Sequence, residues 1–373
     1  MTSPLRRLLV AMGILWLLGM ASPAVASFWA SDLIYLPAVA HTDGASGSQW
    51  RTDLYVTNVD SVPIDVMMVY LPSGGGSNSS VFTDRTSWLG GREADGFGHV
   101  NEALAEIQPN GTVVLEDVIG EYWADQAEIA GLGGMVIFAY EADSLEDDGT
   151  RVFRNAALMS RTYNETTILL DDPNSHGGVR QVDATYGQTM PGVPWYNLAD
   201  PAAVSDDTDF SFYVLTGGTQ NEDFRYNVGI LNASDPQTSI TISLQPFRPN
   251  GEPFPDVNGD PIISLTQISP LGHLQLNEVL LTSFGLAAAE QVMIRVAFVG
   301  WTSSSTDPIP AFATYGSVID DRSNDPTTVL PSFAYPYDVD CMWPDSSAET
   351  GVRKSRRGVS FRPVQAPSLR TAD

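Results

Sequence analysis

The chain has 373 residues, with 19 Lys plus Arg against 45 Asp plus Glu and a formal charge of −26. That field repels nucleic acid and anionic lipid, so neither is expected as a partner. The single cysteine, Cys341, excludes an intramolecular disulfide, and stability must come from cores and sheets.

The opening stretch, residues 1–26, pairs Arg6 and Arg7 with an apolar run from Leu8 to Met20 and small residues at Ala24 and Ala26. This is the layout of a secretory signal peptide, and the run is too short for an ordinary membrane span. Export to the periplasm, cell surface or exterior is therefore expected, with no membrane span in the mature chain. About 347 residues remain, enough for two domains of typical size. From Ser27 to Gly351 they hold 11 Arg, no Lys and 44 carboxylates.

Residues 50–72, "WRTDLYVTNVDSVPIDVMMVYLP", read as two strands joined by a turn, rich in Val, Tyr and Met and punctuated by Asn58 and Asp60. The same phrase returns at 224–246 as "FRYNVGILNASDPQTSITISLQP", matching Arg51 to Arg225, Asn58 to Asn232 and Pro72 to Pro246 without a gap. The order continues. "IQPNGTVVLEDVI" (107–119) answers "ISPLGHLQLNEVL" (268–280), "GGMVIFAYE" (133–141) answers "EQVMIRVAFVG" (290–300) through Met135/Met293 and Ala139/Ala297, and "TTILL" (166–170) answers "TTVLP" (327–331). Ordered blocks of this kind indicate a tandem duplication. The shared Asn is read as a turn device, and the shared Arg as a stem over the sheet with its head on a carboxylate.

Each copy allows one short helix, 116–131 and 277–290. Short strands with frequent turn signals and no strand–helix alternation predict an all-β chain. The expected architecture is two tandem, related antiparallel β-sandwich domains of immunoglobulin-like type: domain 1 at 27–170, a linker packed between domains at 171–208, domain 2 at 209–334, and a tail at 335–373, basic from 352.

Residues 73–106 form the longer connection of the two copies and hold Trp88; the linker holds Trp195. Neither tryptophan has a counterpart in the other copy, so both are candidates for stacking on a sugar ring. Trp50 and Trp123 align with Phe224 and Phe284, which points to the core. "DVNGD" places Asp256, Asn258 and Asp260 at alternate positions beside Gly259, a possible calcium loop that lacks the closing glutamate of an EF-hand and that also reads as a hairpin tip.

The four histidines, His41, His99, His176 and His273, are scattered without zinc spacing, and no nucleophile elbow, phosphate loop or dinucleotide fingerprint occurs. No catalytic or cofactor-binding residue is assigned. The segments "LPAVAHTDGASGSQWRTDLYVTNVDS" (36–61), "SRTYN" (160–164) and "YGQTMPG" (186–192) resemble uncharacterised secreted bacterial proteins with immunoglobulin-like β-sandwich repeats, and that resemblance implies location and fold only. The expected function is a non-enzymatic secreted or cell-surface module for adhesion, scaffolding or structure, with a cell-surface protein or polysaccharide as partner. A carbohydrate-binding module is the alternative; a filament or layer subunit and a secreted hydrolase follow it.

Overall fold

The computed structural model describes residues 30–44, 48–74, 100–123, 131–144, 151–171, 179–199, 212–306 and 308–334. The expected signal peptide, the expected C-terminal tail with Cys341, and Trp88 lie outside the described residues. The chain is mostly β, 61% strand and 6% helix, in small antiparallel sheets. No described helix is long and apolar enough to cross a membrane.

The first half runs β1 (Leu33–Ala40), β2 (Thr42–Asp43), β3 (Gln49–Asn58), β4 (Ile64–Pro72), β5 (Val100–Ile107), β6 (Thr112–Leu115), α1 (Val118–Trp123), β7 (Leu132–Glu141), β8 (Ala156–Asp171), β9 (Val179–Pro191) and β10 (Val193–Pro194). The second half runs β11 (Phe212–Gln220), β12 (Phe224–Asn232), β13 (Thr238–Phe247), β14 (Ser264–Ile268), β15 (His273–Leu276), α2 (Val279–Thr282), β16 (Ala289–Ser303), β17 (Phe312–Asp320), β18 (Pro326–Val329) and β19 (Ser332–Ala334).

Four sheets result. Sheet I is ordered β5-β4-β7-β1-β10, and sheet III repeats it strand for strand as β14-β13-β16-β11-β19. Sheet II joins β6 to β3-β8-β9, with β2 on β3, and sheet IV repeats it as β15-β12-β17-β18. An immunoglobulin constant domain keeps its first two strands in one sheet and its last two of seven in the other. Here β1 pairs with β7 while β3 pairs with β8, so the first and last of the seven main strands have exchanged sheets. The immunoglobulin-like expectation is corrected accordingly: the four small sheets form a four-bladed, propeller-like arrangement.

Strand pairing also corrects two alignments. Tyr70 is opposite Met135 and its counterpart Leu244 is opposite Val296, so Met135 corresponds to Val296 and the Met135/Met293 identity is out of register. "TTILL" lies in β8, whereas "TTVLP" begins in β18, whose counterpart is β9. Where it is described, the expected linker is mostly strand: β9 pairs with β8 from Val179 to Pro191, and β10 pairs with β1. The second helix is shorter than read, Val279–Thr282 against 277–290. After α2, Gly285 at φ +70° turns the chain, which then enters β16 at Ala289.

The shared asparagines are fully buried. Asn58 Oδ1 accepts the Asp60 N–H, and its Nδ2 donates to the Val62 and Ile107 carbonyls at 2.7 Å each. Asn232 Oδ1 accepts the Ser234 N–H, and its Nδ2 donates to the carbonyls of Thr238, Ile268 and Ser269. Each side chain thus closes its own turn and ties it to the neighbouring strand's end, the device read in the sequence.

Three cores follow. One is shared by sheets I and II around Leu54, Met68, Tyr70 and Trp123, and a second by sheets III and IV around Tyr226, Ile242, Phe284 and Phe312. The third joins the halves: Tyr35, Val69, Leu71 and Phe138 of sheet I pack with Leu231 and Ala313 of sheet IV. Gly134 permits the approach, because a Cβ there would lie 2.8 Å from a Leu231 methyl.

Candidate functional site

Beside this third core a cleft of about 450 Å³ opens between the halves. Ala38 and Ala40 of β1, Trp50 of β3 and Gln188 of β9 line one side; Asn227, Gln275 and Tyr315 face from sheet IV. Small residues on β1 leave the space. Tyr315 can lie flat on β12 because position 229 is glycine, where a Cβ would fall 1.9 Å from the ring.

Five of the cleft's polar side chains are held by one another. Tyr315 Oη donates to Gln275 Oε1 at 2.7 Å, and Gln275 Nε2 donates to Asn277 Oδ1 at 2.7 Å. Ser317 Oγ donates to Gln188 Oε1 at 3.2 Å, which ties the two halves across the seam. Burial raises the Tyr315 phenol well above its ordinary value, so it remains a donor throughout the physiological range.

Charge enters at the rim through Asp43, Glu278 and Arg225. Arg225 donates to Asp321 and Asn324, so its charge is neutralised within its own half. Glu278 sits in left-handed backbone, φ +49°, and its N–H donates to Asn227 Oδ1 at 2.9 Å. The first half holds the counterpart: Asp117, φ +40°, donates its N–H to Asp53 Oδ1 at 2.9 Å. There the carboxylate meets His41 Nδ1 at 2.9 Å and Arg51 Nε at 3.6 Å, closing a polar cluster on the outer face of sheet II. Both shared arginines thus reach a carboxylate, but a different one in each half.

Next to the cleft, the His273 ring is completely buried and stacks on Tyr315, 6.5 Å between centroids and 14° between planes. Neither ring nitrogen has a hydrogen-bond partner among the described residues. Burial depresses its pKa to about 4, opposed by the approach of the Pro37 carbonyl.

None of the ligand or metal candidates read in the sequence, Trp88, Trp195, Asp256, Asn258 and Asp260, is among the described residues that line this cleft. Asp256, Asn258 and Asp260 form an exposed hairpin tip: Asp256 Oδ1 accepts the N–H groups of Asn258 and Asp260, while the Asp256 N–H donates to the Asp260 carbonyl at 2.6 Å. These bonds, that from Asn258 first, hold the Asp256 carboxyl below its ordinary range. Among the described residues no group of three or more His, Cys, Asp or Glu side chains is placed to hold a metal ion. Trp195 lies in a 3₁₀ turn, Trp195–Asn197, partly buried against the third core and 5.9 Å from the Tyr196 ring. Trp123 is in the core as read, whereas Trp50 lines the cleft.

The cleft residues carry little sequence signal, because glutamine, asparagine and tyrosine at these positions follow no catalytic spacing. The shared Arg225, and Trp50 read as a core residue, were the marks near them. Comparison with protein-family models found none that matches, and comparisons with curated proteins and with solved structures likewise found no match.

Proposed function

We propose that the protein is an exported, non-enzymatic recognition module that acts in adhesion or scaffolding at the cell surface, and that it binds its partner through the cleft between its halves. The leader-like N-terminus supports export. The observation that carries the reading is the cleft itself: both halves contribute walls to it, and its amide and phenol groups are fixed in direction before any ligand arrives. Fixed polar groups lower the ordering cost of binding, and a concave site with few oriented polar groups is the usual form of a ligand site.

Co-sedimentation of the mature chain, residues 27–373, with insoluble cell-envelope material tests this reading. Binding that saturates and falls at least several-fold in Gln275→Ala is expected. Equal binding by parent and variant would overturn it.

A further inference from the structure

Resting on that reading of the cleft, we infer that its ligand is an uncharged carbohydrate, one or two sugar residues entering between Trp50 and the amides of Gln275 and Gln188. The cleft's polar equipment is dominated by neutral groups that both donate and accept: the amides of Gln188, Asn227, Gln275 and Asn277, with the Thr162 and Ser317 hydroxyls. A sugar hydroxyl also donates and accepts at once, and paired amides and hydroxyls satisfy neighbouring hydroxyls in both senses. The half-buried Trp50 adds an aromatic surface for the C–H face of a pyranose ring.

Charge argues in the same direction. Arg225 is engaged by Asp321 and Asn324, so among the described residues no cation of the cleft is left to recruit an anion. Asp43 and Glu278 at the rim, on a body of 44 carboxylates against 11 arginines, repel uronic acids and phosphosugars. The same carboxylates accept hydrogen bonds from neutral hydroxyls. A volume of about 450 Å³ lies within the range of small-molecule sites and below what a folded protein segment fills.

The test is calorimetric titration of the mature chain with neutral gluco-, galacto-, manno- and N-acetylglucosamine disaccharides, a uronic-acid disaccharide and a cationic glucosamine disaccharide. Saturable binding of at least one neutral sugar is expected. Gln275→Ala and Trp50→Ala should each weaken it about tenfold or more, Tyr315→Phe, which keeps the ring and releases Gln275, about fivefold, and Trp301→Ala, outside the cleft, not at all. Melting curves of each variant separate lost binding from lost fold, and Tyr315→Phe covers the case in which an alanine variant does not fold. Binding of only the charged sugars, or of none while envelope binding still depends on Gln275, overturns the neutral-carbohydrate assignment and leaves the cleft as the site. Neutral-sugar binding untouched by all three cleft variants overturns both.

Discussion

Sheets I and III are built from equivalent strands in the same order, yet sheet I is apolar on both faces and sheet III on one. On the outer face of sheet I, Met67, Val69 and Leu71 are buried against the second half. Strand pairing places Thr241, Ser243 and Gln245 at the equivalent positions of sheet III, and Arg295 where sheet I has Gly134. Arg295 there spreads over the rings of Phe212 and Phe247, 5.7 Å from each, and donates to Gln245 Oε1 at 2.6 Å. The half that receives a neighbour here keeps an apolar face and a glycine, and the other half is polar at the same positions. The cleft lies where the two halves meet.

The largest expected effects break the buried member of this comparison. Leu71→Ala should destabilise by about 2–5 kcal/mol, since it opens a cavity in the third core, while Gln245→Ala at the equivalent position should change stability by no more than about 1 kcal/mol. Urea unfolding of the two variants checks the contrast. Asn58→Ala and Asn232→Ala probe what both halves share. Each strands several buried backbone groups, and each should lose about 2–4 kcal/mol by the same measurement, with near-equal losses marking equivalent turns.

A smaller difference lies at position 273, where the first half has Thr112. His273 is neutral in the fold, with a pKa near 4, against about 6.5 when unfolded. Between those values the unfolded chain binds the extra proton, so this contribution is complete above about pH 6.5 and falls as pH drops toward 4. The fall amounts to about 3 kcal/mol at most. Thermal unfolding at neutral and mildly acidic pH should show a weaker acid destabilisation in His273→Thr than in the parent. Least affected should be the 256–260 tip: Asp256→Ala should shift the melting temperature by less than about 2 °C, and millimolar calcium should move parent and variant equally.

The sequence made the asymmetry of the halves readable in one place. The run "IDVMMVYL" of β4 is apolar at nearly every position, the pattern of a strand buried on both faces, whereas "TSITISLQPF" of β13 alternates. The paired asparagines were legible because they recur at the same aligned position, between two strand-like runs in each copy. The strand β9 was not: "VRQVDATYGQTMP" is held by its ladder with β8, and a hydrogen-bonded ladder leaves no mark in composition. The exchange of β1 and β8 between sheets escaped for the same reason, because strand order is a property of pairing and not of the local pattern. The cleft was hidden because its members come from β3, β9, β12, β15 and β17, and Trp50 was read through its aligned partner Phe224 as a core residue.

The most direct measurement is urea unfolding of the reciprocal pair Gly134→Arg and Arg295→Gly. Gly134→Arg drives a charged side chain into Leu231 at the seam, and the account predicts a loss of several kcal/mol or separate unfolding of the halves; Arg295→Gly, which loses the Gln245 hydrogen bond and the ring contacts, should cost about 2 kcal/mol and leave one transition. Equal, small effects from both would contradict the claim that the seam between two unlike repeats organises this protein.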